Sequence, residues 1–203
     1  PAYAPELACV VAGVAAGGTV PNITSVITSV NRSVFAGLIP AGVLGLANQY
    51  ELAGPVIDDH LLPRHRHDFY QARHACFVGD MVRFAGRDIL AMFDDGSLVY
   101  THPLARRLMD DNALGHHVPR IPLFLYKAVE DEVSPVGDTD RLVDWYCAGA
   151  GRGGAATVQY DRVPLAGHAT LAAVGSQKAI LWLEAVMGGQ STDGFGLFKC
   201  RGG

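Results

Sequence analysis

Residues 121–135 read IPLFLYKAVEDEVSP, and residues 156–168 read ATVQYDRVPLAGH. Each begins as a strand. Ile121–Val129 is an almost unbroken apolar run, and in Ala156–Val163 the residues Val158 and Tyr160 alternate against polar neighbours. Each is followed by a helical pattern. After the first, Asp138 or Asp140 can cap a helix whose apolar side is Leu142, Val143, Trp145 and Tyr146. After the second, a longer helix runs from about Thr170 to Met187, with Leu171, Val174, Ile180, Leu181, Leu183 and Val186 expected inward and Gly188-Gly189 as its stop. A third apolar run, Leu7–Val14, lies upstream and closes at Gly17-Gly18. Continuous apolar runs of this kind suit strands buried on both faces. Strand–helix–strand–helix order therefore predicts an α/β fold on a parallel sheet.

Between the first and second strands lie about 100 residues of mostly helical texture. Helical patterns cover Ser33–Tyr50, a segment around Pro55–Leu62, an amphipathic stretch from Asp68 to Ala85, and Pro103–Leu114 with Gly115 past its end. Asp94-Asp95-Gly96 marks a turn. The expected organisation is a core strand and turn over 1–21, a helical cap or lid insertion over 22–118, and an α/β core over 119–203. Such a cap is expected over the carboxyl ends of the strands, where α/β folds place their sites.

The chain has 203 residues, of which 49% are hydrophobic and 18% charged, so it is not a disordered segment. A formal net charge of −4 leaves no basic surface with which to hold nucleic acid by counterion release. Ser33–Tyr50 carries no charge, but it is interrupted by Pro40 and three glycines and is too short to span a bilayer. It reads as a buried or interfacial helix, able to lie over an acyl chain or simply to pack. The chain starts at Pro1 rather than Met, which fits a removed leader or the later part of a longer protein. Cys9, Cys76, Cys147 and Cys200 show no zinc spacing. Two sequons, Asn22-Ile23-Thr24 and Asn31-Arg32-Ser33, together with an even cysteine count, point to a secreted, oxidising setting, with reduced cytosolic thiols as the alternative.

Chemistry concentrates in the two loops. Glu130-Asp131-Glu132 follows one strand, and Pro164-Leu165-Ala166-Gly167-His168 follows the next. An acid and then a His on successive strand–helix loops is the order of the α/β-hydrolase triad, in which the acid orients the imidazole and the imidazole shuttles the proton of a nucleophilic serine. Taken alone, the same residues also fit a solvated acidic turn and a helix-capping His. His65-Arg66-His67 and His74 have helical spacing, but no carboxylate or Cys completes a ligand set, and no metal is expected there. His116-His117 read as loop residues, and Arg64, Arg66, Arg106 and Arg107 as solvated faces.

Tyr3-Ala4-Pro5-Glu6-Leu7, Gly17-Gly18-Thr19, Phe35-Ala36-Gly37, Ala41-Gly42-Val43, Gly45-Leu46, Asp131-Glu132-x-x-Pro135 and Pro164–His168 occur in register. Together they resemble the secretory lipase family, the lipase A-type α/β-hydrolases of fungi, over Pro1 to about Gly189. The resemblance implies an α/β-hydrolase sheet, here its C-terminal half, and a triad acid at Asp131 and base at His168. Glu132 matches a family position, but not the one that touches the His, and Glu130 is a solvated neighbour. A disulfide between Cys147 and Cys200 is implied. Cys76 matches a cysteine whose partner lies upstream, while Cys9 has no counterpart and reads as a small core hydrophobe.

One element of the family is missing. No G-x-S-x-G elbow occurs, and the nearest stretch, Gly189-Gln190-Ser191-Thr192-Asp193, lacks the second glycine and follows His168. By the resemblance, the serine and the oxyanion hole belong to an upstream half. The implied activity is cleavage of carboxylic esters, triacylglycerols foremost, by a secreted enzyme acting on a lipid or ester substrate, including one presented at a lipid–water interface, with no cofactor. This chain alone is expected not to form an acyl-enzyme. The alternatives are another serine hydrolase of the fold, a carboxylesterase or acyl-peptide hydrolase, or a non-catalytic lipid-binding remnant.

Overall fold

A computed structural model describes residues 6, 7, 10–150, 157–196 and 198–200. The chain forms two compact units, one containing the chain up to Pro21 and from Ala113 onward, the other Asn22–Asn112.

The first unit holds a four-stranded sheet in the order β1 (Val14–Gly17), β2 (Leu123–Ala128), β3 (Val158–Val163), β4 (Phe198–Cys200). The first three strands are parallel and the last is antiparallel. Helix α8 (Val136–Ala150) covers one face, where Leu142, Val143 and Tyr146 pack on Leu125, Val158 and Tyr160. Helix α9 (Leu171–Met187) covers the other, where Trp182 and Ala179 pack on Phe124, and Leu171 packs on Ala128 and Ala166. The fold is that of the expected α/β class.

Several boundaries differ from the sequence reading. The first strand begins at Val14 rather than Leu7, and Leu7 and Val10 are exposed. Its apolar run is thus not a buried strand throughout, and Tyr3-Ala4-Pro5 and Cys9 lie outside the described residues. Helix α8 begins at Val136, so Asp138 sits in its first turn instead of capping it, and Trp145 is exposed. On α9 the inward face is Leu171, Gly175, Ala179, Trp182 and Ala185, while Val174, Ile180 and Leu181 are exposed. Packing distance explains that phase. A Cβ on Gly175 would lie 2.4 Å from the Tyr126 ring, so the helix approaches β2 along its smallest residues. In β3 all of Val158, Gln159, Tyr160 and Asp161 are buried. Its polar members are matched from α9: Trp182 Nε1 donates to Gln159 at 2.7 Å, and Lys178 pairs with Asp161 at 2.5 Å.

The second unit is helical: α1 (Ile23–Val30), α2 (Leu38–Gln49), α3 (Ala53–His60), α4 (Pro63–Tyr70), α5 (Phe77–Phe84), α6 (Leu98–Thr101) and α7 (Pro103–Asp111). Two patterns read as single helices are shorter or divided here. Ser33–Ala36 are turns before α2, and Asp68–Ala85 breaks into α4, a 3₁₀ turn at Gln71–Arg73, and α5. The break separates His67 from His74, so they share no continuous helical face. Helix α1 carries no signal used above, yet Asn22 caps it by accepting from the Ser25 N–H at 3.2 Å. No helix among the described residues is long and apolar enough to cross a membrane.

Cys147 of α8 and Cys200 of β4 are bridged across a sequence separation of 53. A loop of that length gives about 4 kcal/mol on the chain-entropy model. Replacing both cysteines by Ala should lower the unfolding free energy by about that amount in a urea titration, and an unchanged midpoint would remove the bridge from the stability of this unit.

Candidate active site

Adjacent parallel strands deliver their following loops side by side. Ala128 and Val163, the last residues of β2 and β3, are register partners, and the Val129 N–H donates to the Val163 carbonyl at 3.0 Å. Asp131 and His168 leave from those two ends. His168 Nδ1 lies 2.9 Å from Asp131 Oδ2 and 3.1 Å from Oδ1. The acid and the base of the sequence reading therefore meet.

The Asp131 side chain is fully buried. Its Oδ1 accepts the N–H groups of Val133 at 3.0 Å and Ser134 at 2.8 Å, a local turn that fixes the carboxylate. Its Oδ2 also receives Lys127 Nζ at 2.8 Å, and the Lys127 side chain is likewise fully buried. Burial pushes the Asp131 carboxyl up, but hydrogen bonds from Lys127, the Ser134 N–H and His168, together with the Lys127 charge, hold it below the ordinary carboxylate value.

On the other loop, Leu165 turns the chain with φ of 59°, and Ala166 is buried. Gly167 and Thr170 exchange hydrogen bonds at 2.9 and 3.2 Å at the entry to α9. The His168 N–H donates to Glu132 Oε2 at 2.9 Å. Glu132 thus does touch His168, through the backbone rather than the ring, which corrects the sequence reading. Gly18, at φ of 61°, bends the chain after β1, where a Cβ would sit 3.7 Å from His168 Cε1. The imidazole keeps 34% of its surface exposed. Since the carboxylate accepts from Nδ1, the neutral ring carries its proton there, and Nε2 is left to take another.

Glu130, His116 and His117 are exposed, as are Arg64, Arg66, Arg106 and Arg107. Cys76 is an exposed free thiol. Asn22 is exposed, whereas Asn31 is engaged at both ends of its amide: Nδ2 donates to Asp88 at 2.8 Å and Oδ1 accepts the Ile89 N–H at 2.8 Å. Ser191 follows α9 rather than a strand, and its hydroxyl donates to Asp193 at 2.9 Å. No group of three or more His, Cys, Asp or Glu among the described residues could hold a metal ion. Lys127 is the site residue that sequence reasoning missed. The available signal was a lysine inside an apolar strand, four residues before the acid, where a buried ammonium requires a counter-charge.

A family described as Secretory lipase matches residues 1–194. Lipase A of Arthroderma benhamiae is 38% identical over 186 residues, covering 91% of this chain and 38% of that protein. The trichothecene C-3 esterase of Fusarium sporotrichioides is 34% identical over 198 residues, covering 93% of this chain and 42% of that protein. The chain thus spans about two fifths of the length of these relatives. Among solved structures, Candida antarctica lipase A in its closed state superposes with a TM-score of 0.80 at 21% identity, over 90% of this chain and 43% of that one.

A carboxylate held low in the folded state adds stability that is complete above the ordinary carboxylate range, near pH 4, and is lost as pH falls through the lower folded value. Asp131→Asn should flatten that acid-side loss. It should also lower stability at neutral pH by about 3–5 kcal/mol, because Lys127 is left buried without its counter-charge. Urea titrations across pH measure both, and an acid-side slope matching the unaltered protein would contradict this role for Asp131.

Proposed function

The chain belongs to the secretory lipase family, and on that footing we propose that it is the acid- and base-bearing part of a secreted serine hydrolase that cleaves carboxylic esters, triacylglycerols foremost. The observation that carries this is the 2.9 Å contact between Asp131 and His168 at the ends of neighbouring parallel strands. Asp131 orients the ring and stabilises the imidazolium. His168 Nε2 takes the proton of a serine hydroxyl as its oxygen attacks the ester carbonyl, then returns the proton to the departing alkoxide. It next activates the water that releases the acid. The serine and the oxyanion donors come from the upstream half, and this chain by itself forms no acyl-enzyme. No cofactor enters these steps.

The helical unit supports a lipid substrate. It contains an apolar cavity of about 450 Å³, bordered by Ile23, Ile27, Val43, Leu46 and Met109, within the range of about 300–1,000 Å³ common to small-ligand pockets. Each CH₂ of an acyl chain taken up by such a space gains about 0.8 kcal/mol. The Cys147–Cys200 bridge fits an oxidising compartment, and Asn22 is the better placed of the two glycan acceptors. A second reading, a carboxylesterase acting on esters other than lipids, is favoured by the likeness to a trichothecene C-3 esterase.

In the full-length protein, His168→Ala should lower kcat on a soluble ester by several orders of magnitude while the circular dichroism spectrum is kept. Retained turnover would take His168 out of the mechanism. A series of p-nitrophenyl esters should show kcat/KM rising with acyl length, and a maximum at acetate would replace the lipase reading with the esterase one.

A further inference from the structure

Lys127 is a charge at this site that acyl transfer does not itself require. Its side chain is fully buried, and its Nζ reaches Asp131 Oδ2 at 2.8 Å and the Thr19 carbonyl at 2.9 Å. An apolar side chain of similar volume could fill the slot, and a buried ion pair rarely adds net stability over such a replacement. What the ammonium does change is the field around the carboxylate. Asp131 Oδ2 is shared, with Lys127 Nζ at 2.8 Å and His168 Nδ1 at 2.9 Å. A bare carboxylate would favour the imidazolium strongly. A carboxylate already holding a cation favours it less.

Several other charges of the surrounding elements have partners of their own. Glu132 accepts the His168 N–H. On α8, Asp138 pairs with Arg141, and Asp140 accepts from Tyr160 and lies 3.6 Å from Arg162 of β3. Asp161 of β3 pairs with Lys178 of α9, and Glu130 is exposed. Lys127 also ties the acid's loop to the turn after β1, since Thr19 O receives both Lys127 and, at 3.3 Å, the Ser134 hydroxyl.

We infer that Lys127 is a positioning residue that shares the Asp131 carboxylate with His168, so that the imidazole remains a free base, and the enzyme active, in a more acidic medium than an unaided Asp–His pair would allow. This rests on the reading of Asp131 and His168 as triad members. No step of the reaction passes through the lysine.

The test uses the full-length protein with Lys127→Met and Lys127→Gln. Both remove the charge, and Gln keeps a hydrogen-bond donor, so it serves where Met disturbs folding. The acid limb of kcat/KM on a soluble short-chain ester should move to higher pH by on the order of one unit in both variants. An acid limb that stays in place while the melting temperature falls would reduce Lys127 to a structural role and overturn the inference. Absence of ester turnover in the unaltered protein, or its survival in His168→Ala, would defeat the functional reading separately. The lysine is then judged by the NMR titration of the His168 ring in Lys127→Gln: an upward move supports the inference, and a titration coincident with the unaltered protein's overturns it.

Discussion

A carboxylate withdrawn from water has to find its donors and counter-charge within the protein, and the Asp131 loop is built around that requirement. The side chain is fully buried beside a fully buried lysine. Two backbone N–H groups close on Oδ1, the ammonium on Oδ2, and the imidazole spans both oxygens. These donors come from three pieces of the fold: the ammonium from the end of β2, both N–H groups from the turn before α8, and the imidazole from the loop between β3 and α9. Losing any one leaves a buried charge less well met, which costs far more than the bond itself is worth.

Parallel pairing is what brings those pieces together. Because Ala128 and Val163 are register partners, the acid and the His need travel only a few residues from neighbouring strand ends to meet. The sheet is held in place from both sides, by Leu142, Val143 and Tyr146 on one face and Trp182 on the other. The antiparallel β4 adds a covalent tie from the sheet to α8 through Cys200 and Cys147.

This dependence also explains what could be read from the sequence. The fold class and the Asp131 and His168 loops were legible because apolar strand runs, turn residues and chain order are local signals. Lys127 was not, since its partner is identified only once the loop folds back. The inward face of α9 was misjudged because apolar content does not reveal packing distance. Gly175 and Ala179 face the sheet because they are small, and the larger Val174 and Ile180 remain exposed. Gln159 and Asp161 look like solvent-facing alternation, yet both are buried against partners on α9 that no local pattern announces. The division of Asp68–Ala85 into two helices has a similar origin. Its apolar periodicity is continuous, but the backbone turns at Gln71–Arg73.

The central claim is that the Asp131 carboxylate fixes the proton of the neutral imidazole on Nδ1 and leaves Nε2 open. Proton–nitrogen NMR of the His168 ring near neutral pH reads that arrangement directly. A hydrogen-bonded proton on Nδ1, with Nε2 bare, is the result expected, and its disappearance in Asp131→Asn would tie it to the carboxylate. A ring protonated on Nε2 alone, with no hydrogen bond from Nδ1, would contradict it.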